Sequence, residues 1–365
     1  MKELFLPFYY YPQWLWISSS RFVKLYLQSL IAFPIKMWSI PRFFLVTTLS
    51  FLAIMISYMH LTIVFVEKIS LSVILKSKPY KAVFIVGAPR SGTSRMQKLL
   101  AADEKHFTAM KMWEMLFAPS ILQKKVLKSI GQLDAFFGAP FYKMIKRIEF
   151  HCYKNFNNIH SLSFFNIEED ALLLHHLFSC YHLSFLLGKE QSYKYLNYDK
   201  GTPRAVWVYY KTCIDNHMAL NSGKIYLSKN PFFSGSLNSL SELFKEVKFI
   251  HVQRDVKEIV PSFFSLKRFL SKVFYGVEPS KEKYREINEV LKFWNSAPKT
   301  NKQQNKVFTA TYSYLRSKPD ILVTSCYDFL NLTVEEEIIK QLQKETLVAI
   351  SYQSKHKYSA DEFKF

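Results

Sequence analysis

Residues 82–94, with the sequence AVFIVGAPRSGTS, decide the fold class. The first five are apolar and indicate a short strand of the kind found in parallel sheets, where both faces are covered. A loop with two glycines follows, and the pattern from Arg95 to Ala102 predicts a helix. Backbone N–H groups of such a loop, together with the start of the helix, form a site for an anion. The stretch therefore predicts an anion-binding loop between a parallel strand and a helix.

Two further strands are predicted farther along the chain, at residues 225–228 and 247–252. A helix is predicted between them over residues 236–244, and another follows the later strand. Repeated strand–loop–helix units of this kind indicate an α/β protein, a P-loop-type parallel sheet flanked by helices. The polar stretch 298–306 is predicted to be a loop.

The amino-acid composition excludes several classes of protein and indicates the kind of partner that this chain binds. The chain has 365 residues, of which 49% are hydrophobic, so enough apolar surface exists to exclude disorder over most of the length. The four cysteines show no CxxC pairing, which argues against a zinc site or a dense disulfide framework. The formal net charge is +20. Such a charge calls for an anionic partner, which could be nucleic acid, a membrane surface or a small ligand.

The N-terminal part predicts attachment to a membrane. The run from Phe43 to Val66 has 24 residues and lacks Lys, Arg, Asp and Glu. As a helix it would be about 36 Å long, against roughly 30 Å for a hydrocarbon core. We therefore expect a membrane-associated segment at 1–78, with a transmembrane or in-plane helix at 43–66, and a catalytic domain at 79–365. A buried helix of a soluble protein is the alternative, and cations on both flanks give no orientation.

The glycine loop is not that of a nucleoside triphosphatase. Gly87 and Gly92 have the spacing of that motif, but Thr93 occupies the position of its required lysine, and the cation Arg90 lies inside the loop. The loop instead resembles the 5′-phosphosulfate loop of sulfotransferases that use 3′-phosphoadenosine 5′-phosphosulfate (PAPS). The closest resemblance is to the branch of bacterial lipid and quinone sulfotransferases, with tyrosylprotein sulfotransferases more distant. The resemblance implies that the phosphosulfate is bound by Ala88, Pro89, Arg90, Ser91, Gly92, Thr93 and Ser94.

A second motif follows the strand at 247–252. Arg254 ends this strand, and Ser262 lies eight residues later. An arginine there can form paired hydrogen bonds to a phosphate, and a serine two helical turns on can face the same anion. The pair is similar to the family's 3′-phosphate motif. Val256 replaces the family's frequent proline, and Pro261 directly precedes Ser262 and is expected to distort the helix.

The resemblance also implies the catalytic groups. Lys229, in the stretch Leu227–Pro231, resembles the family lysine that contacts the sulfuryl group and the leaving phosphate, a role in which Arg90 would assist. Glu114, in Met112–Leu116, resembles the glutamate that serves as base in the membrane-type branch. We expect apolar neighbours to raise its basicity by desolvation.

Two further assignments stay open in the sequence. Competing bases are present in the middle region, namely Glu168, Glu169, His175 and His176. Lys355 lies in a tail that resembles the family's His-Lys-Tyr-Ser ending and would return to the nucleotide phosphates.

The sequence thus predicts a PAPS-dependent sulfotransferase with a hydroxyl-bearing, lipid-like acceptor, and no metal is expected. Its partners would be PAPS and a membrane, and not nucleic acid, for which no known binding module is present. We expect the catalytic domain to be cytoplasmic, with a Golgi-type lumen as the alternative. Rival functions are a P-loop kinase of a small molecule, which requires magnesium and ATP, and a non-catalytic membrane protein that binds a nucleotide.

Overall fold

The computed structural model describes residues 2–32, 40–71, 79–153, 162–180, 201–275, 278–300 and 302–351. These residues form two compact units. The first contains the described residues of 2–71, 110–180 and 204–222, and the second those of 79–109, 201–203 and 223–351. The change of composition near Pro79 coincides with a boundary of the second unit. The described residues of 110–180 and 204–222, in the middle of the chain, belong to the same unit as the N-terminal helices.

The second unit contains a five-stranded parallel sheet with the order β2-β3-β1-β4-β5. The strands are β1 (Lys81–Val86), β2 (Phe107–Thr108), β3 (Ile225–Lys229), β4 (Glu246–Gln253) and β5 (Val307–Thr311). β1 is central, and its last residues pair with Lys229 on one side and with His251 on the other. Because parallel strands end at the same edge, the segments that follow β1, β3 and β4 are neighbours.

Helices cover both faces of this sheet. On one face, Val83 and Ile85 of β1 belong to a buried cluster with Met96 and Leu100 of α3 (Thr93–Ala101). The same cluster includes residues of α11 (Tyr312–Ser317), α12 (Pro319–Leu330) and α13 (Glu336–Ser351). The predicted α/β fold with a helix-flanked parallel sheet is confirmed.

The other face carries an aromatic layer. Phe84 of β1 contacts Phe244, with ring centroids 5.2 Å apart, at the end of α8 (Leu237–Leu243). A 3-10 helix (Pro231–Gly235), α9 (Val256–Tyr275) and α10 (Lys281–Thr300) complete this layer, and a short 3-10 helix (Gln304–Lys306) precedes β5.

The prediction of a loop at 298–306 is wrong in its first part. α10 continues to Thr300 because its apolar face, which includes Trp294 and Ala297, is buried and holds the last turn in place. Pro261 lies inside α9, which continues as one helix from Val256 to Tyr275.

The first unit begins with two long helices that pack against each other. α1 (Lys2–Ala32) and α2 (Ile40–Leu71) run antiparallel, since Tyr11 bonds to Thr62 and Tyr26 bonds to Thr47, both at 2.9 Å. Within α2, the stretch Thr47–Ser70 is long and apolar enough to cross a membrane. One face of this stretch is buried inside the unit, at His60, Leu61, Val64 and Glu67.

Further helices among the described residues of this unit lie in the middle of the chain. They are α4 (Met112–Phe117), α5 (Ile121–Phe136), α6 (Pro140–Tyr153) and α7 (Arg204–Ala219). The acidic stretch 168–170 leads into a 3-10 helix at Asp170–Leu177.

Candidate active site

The loop after β1 has a backbone that alternates between ordinary and left-handed conformations. Gly87 (φ 143°), Arg90 (φ 71°) and Gly92 (φ 103°) have positive φ, and the Ser91 N–H donates to the Ala88 carbonyl at 3.1 Å. Gly92 is also the N-cap of α3. Such an alternation turns successive N–H groups toward one point, which makes a concave site for an anion.

Both glycines are required by their surroundings. A Cβ on Gly87 would lie 2.4 Å from the carbonyl oxygen of Val252, and one on Gly92 would lie 2.9 Å from the ring of Tyr312. The Gly87 N–H donates to the Ser234 hydroxyl at 2.9 Å. The loop is therefore held against β4, α11 and the 3-10 helix at 231–235, with no room for side chains at either glycine.

The two arginines of the sequence motifs lie next to each other. Arg254 Nη1 donates to the Arg90 carbonyl at 3.0 Å, and Arg90 Nε donates to the Ser262 hydroxyl at 2.9 Å. Arg254 also bonds to Glu258 at 3.0 Å, and its guanidinium lies 4.0 Å from the centroid of the Tyr312 ring. The second unit thus brings Arg90, Arg254 and Ser262 into one connected group.

Lys229 is the third cation of this group. It is the last residue of β3, beside Ile85 of β1, and only 1% of its surface is exposed. Its Nζ donates to the Ser94 hydroxyl at 3.2 Å. A buried ammonium needs an anionic or polar partner, so this position suits a lysine that faces a bound anion.

The donors around the loop fit a doubly phosphorylated nucleotide. The buried Ser91 hydroxyl has no hydrogen-bond partner among the described residues, so it is available to a ligand oxygen. Arg90, Arg254 and Lys229 supply three positive charges, which phosphate and sulfate oxygens prefer. Lys355, which was expected to return to the nucleotide, lies outside the described residues.

Glu114 belongs to the first unit, and its polar contacts are with residues of that unit. Its Oε2 accepts the Lys111 N–H at 2.8 Å, which caps the start of α4. Its Oε1 lies 3.4 Å from Lys124 Nζ and 3.7 Å from His217 Nδ1. Lys124 Nζ in turn donates to His217 Nδ1 at 2.9 Å. The carboxylate therefore forms a buried cluster with a lysine and a histidine.

This cluster overturns the expected basicity of Glu114. Burial alone would raise the pKa of its carboxyl, but His217, the Lys124 charge and the Lys111 N–H together lower that pKa to about 2. Burial lowers the pKa of Lys124, although Glu114 opposes the shift. Burial and the neighbouring Lys124 lower the pKa of His217 to about 4. Glu114 is consequently ionised at neutral pH and binds a proton weakly.

Comparison with known proteins gives the family. The profile described as "Sulfotransferase family" matches residues 82–336, which is more than half of the chain. The chain belongs to the sulfotransferase family.

Two curated relatives share part of their sequence with this chain. They are the omega-hydroxy-beta-dihydromenaquinone-9 sulfotransferases Stf3 of Mycobacterium bovis and Mycobacterium tuberculosis. Each is 26% identical over 276 residues, which are 74% of this chain and 64% of the relative. The chain thus spans less than two thirds of their length.

Solved structures share the fold. Sulfotransferase STF9 from Mycobacterium avium has a TM-score of 0.64 at 15% identity, over 84% of this chain and 78% of that one. Sulfotransferase STF1 from Mycobacterium tuberculosis H37Rv has a TM-score of 0.59 at 15% identity, over 85% and 83%.

Sequence reasoning did not find several residues around the glycine loop and, separately, around Glu114. Tyr312 contacts both Gly92 and Arg254, and Ser234 holds Gly87, yet neither is part of a motif. Lys124 and His217 likewise follow no pattern. Only the structure shows that Lys124 is buried. Its burial indicates a partner, because lysine is rarely buried without one.

Of the competing bases, His176 has its two ring nitrogens occupied. Nδ1 lies 2.7 Å from the Tyr209 hydroxyl, and Nε2 lies 3.2 Å from the Leu116 carbonyl. Burial lowers its pKa well below the ordinary value. His176 is therefore held neutral inside the unit, and both of its ring nitrogens are already hydrogen-bonded.

Proposed function

We propose that this sulfotransferase takes its sulfuryl group from PAPS and transfers it to the hydroxyl of a lipid-like alcohol or phenol. The observation that carries the proposal is the direct contact between Arg254 and Arg90, at 3.0 Å. It joins the two motifs that the family resemblance assigns to the 3′-phosphate and the 5′-phosphosulfate of one nucleotide.

The chain's own residues would hold this nucleotide by charge and by backbone donors. The 5′ group would be bound by the hydroxyls of Ser91, Thr93 and Ser94 and by N–H groups of the loop at 88–94. Two positions of the loop do not contribute, because Pro89 has no N–H and the Ser91 N–H donates to the Ala88 carbonyl. Arg254 and Ser262 would bind the 3′-phosphate. PAPS, when bound, supplies the sulfuryl group and a leaving phosphate.

Lys229 and Arg90 would stabilise the negative charge that develops on the oxygen between sulfur and phosphorus. Preorganised cations act strongly in a site from which water is excluded, and removal of one such donor raises a barrier by about 3 kcal/mol. Lys229 meets this requirement of preorganisation, since it is buried and hydrogen-bonded to Ser94.

Glu114 would orient the acceptor hydroxyl and receive its proton. Because its pKa is about 2, it is a weak base in the unliganded protein. The hydroxyl proton becomes more acidic as the new O–S bond forms, so transfer to Glu114 would occur late in the step. Lys124 is proposed as a positioning residue whose charge keeps Glu114 ionised. His217, which is uncharged at neutral pH, accepts a hydrogen bond from Lys124 and is proposed to hold Lys124 in place.

The acceptor and the location are proposed together. The curated relatives are named for a hydroxylated dihydromenaquinone, which favours a hydroxyl-bearing lipid. Large apolar side chains on α1 and α2 are exposed, among them Trp16, Phe44 and Phe51, which favours attachment to a membrane. The buried Cys213 and Cys326 form no disulfide, which favours a cytoplasmic catalytic domain over a lumen.

Calorimetric titration of PAPS tests the nucleotide site. We expect Arg90→Ala and Arg254→Ala each to weaken binding about tenfold to a hundredfold, the value of a charged hydrogen bond. Arg285→Ala is the matched control, because Arg285 is exposed on α10 and carries none of the proposed contacts. Unchanged affinity in both loop variants would refute the proposal.

A further inference from the structure

The α5–α6 hairpin, Ile121–Tyr153, exposes large apolar side chains along nearly its whole length. In α5 only Ile121, Lys124 and Asp134 are buried. Exposed apolar residues on the two helices include Leu122, Ile130, Leu133, Phe141, Ile148 and Phe150. So many exposed large apolar side chains on two neighbouring helices are unusual for a soluble protein and indicate a docking site.

The turn of this hairpin is rigidly built. The Asp134 carboxylate accepts the N–H groups of Phe141 and Tyr142, at 2.8 and 3.0 Å, and thereby caps α6. Gly138 and Ala139 complete the turn with positive φ. At its tip Phe136 is 82% exposed and Phe137 is 69% exposed, and their rings meet edge to face. Two aromatic rings are thus presented outward on an ordered support.

The charge of the hairpin indicates what it binds. The stretch has six cations, Lys124, Lys125, Lys128, Lys143, Lys146 and Arg147, and two acids. Both acids are buried and used internally: Asp134 caps α6, and Glu149 bonds to Lys146, Ser163 and the Phe164 N–H. The exposed charge is therefore positive, which complements anionic lipids and would repel a second copy of the same surface.

We propose that the α5–α6 hairpin is a membrane-docking element that lies in the plane of an anionic bilayer, with Phe136 and Phe137 inserted among the acyl chains. α5 has 16 residues and is about 24 Å long, too short for a hydrocarbon core of roughly 30 Å. Exposed apolar residues interleaved with Lys and Arg are typical of interfacial helices. This contact is additional to the apolar N-terminal segment and does not depend on sulfuryl transfer.

Spin-label accessibility in the full chain tests the proposal. A nitroxide is attached at Phe137→Cys in a Cys152→Ser background, and the chain is placed in vesicles of phosphatidylcholine with phosphatidylglycerol. We expect the label to be relaxed by oxygen and protected from an aqueous nickel chelate. The matched control is Ile321→Cys, an equally apolar and exposed position on α12, where we expect access to the chelate.

Substitution of the exposed cations of the hairpin gives a second test of the proposal. Neutralisation of Lys128, Lys143 and Arg147 to Gln should each shift the balance of inserted and detached label about fivefold toward the detached state in anionic vesicles. The proposal is overturned if the Phe137 label is open to the chelate, or if it shows dipolar broadening between two copies, which would assign the surface to self-association. Because neither readout uses catalysis, the result is separate from that of the PAPS titration.

Discussion

Glu114 carries its charge at neutral pH because two buried neighbours hold it there. Lys124 and His217 come from α5 and α7, and both reach the same carboxylate oxygen. An ionised carboxylate accepts hydrogen bonds well but takes up protons poorly, so the pH dependence of the reaction should reflect these neighbours.

Replacement of Lys124 by Met should introduce a pH dependence that the parent protein lacks. In the parent, a pKa of about 2 keeps Glu114 ionised across the working range, so kcat/KM should show no acid limb from this group. Without the Lys124 charge, burial would raise the pKa of Glu114, and kcat/KM should fall as the pH is lowered and recover at higher pH. Steady-state kinetics from pH 5 to 9 measure this.

Two further variants separate the roles. Lys125→Met, an exposed change on the same helix, should keep the parent profile when assayed in detergent. Glu114→Gln should retain PAPS binding and lose turnover at every pH. Full turnover in Glu114→Gln would assign the base to another residue.

At the residue scale, the sequence identified the candidate site residues that belong to contiguous motifs. Arg90, Arg254 and Lys229 each follow a predicted strand, so their convergence at one edge of the sheet could be expected. The environment of Glu114 could not, because Lys124 and His217 are 10 and 103 residues away along the chain. Their buried positions depend on tertiary packing, which leaves no local pattern.

Among the elements, α5 depends on a residue of another helix for its start. The Glu67 carboxylate of α2 accepts the N–H groups of Ile121 and Leu122, at 2.8 and 2.7 Å, and the Asn216 amide at 3.2 Å. The negative charge also complements the positive end of the helix dipole. α5 is thereby attached to α2 at its first turn.

Removal of this cap by Glu67→Ala should loosen α5. Two buried N–H groups would lose their acceptor, which should cost about 2 kcal/mol in the free energy of local unfolding. Hydrogen exchange of peptides from residues 121–136 should therefore accelerate. Glu337→Ala, an exposed change on α13, is the control and should leave these peptides unchanged. Equal protection of α5 in both variants would contradict the capping role.

The strands that sequence reasoning found are those of the sheet interior. β1, β3 and β4 are buried on both faces and therefore give apolar runs. The two edge strands were missed: β2 has only two residues, and β5 is partly exposed, with Ala310 its one buried residue. Edge strands lack the run of apolar residues that marks a central strand.

At the scale of the whole molecule, the positive charge and the exposed apolar side chains both favour the proposed attachment to an anionic bilayer. The net charge of +20 suits both the proposed anionic nucleotide and the proposed anionic bilayer. An enzyme attached to a bilayer meets acceptors that are dissolved in it. The sequence predicts membrane attachment from the run at 43–66, whereas the apolar runs of the α5–α6 hairpin are too short and too basic to predict one.

Lipid extracts of cells that express the chain should contain sulfated species. High-resolution mass spectrometry, which detects the added sulfuryl mass, compares these extracts with those of cells that express Lys229→Met. The variant should yield none, because it lacks the cation proposed to stabilise the leaving oxygen. Sulfated products found only in the water-soluble fraction would contradict a lipid acceptor.

At position 90, the backbone conformation favours glycine, whereas the proposed chemistry requires the arginine side chain. The Arg90 backbone has a φ of 71°. This left-handed region is accessible to glycine without strain, whereas it costs other residues about 1 kcal/mol of conformational free energy. Glycine at 90 would relax the loop, yet it would remove the guanidinium that contacts Ser262. A search for thermostable variants should therefore favour glycine at this site, and the gain in stability would come at the expense of turnover.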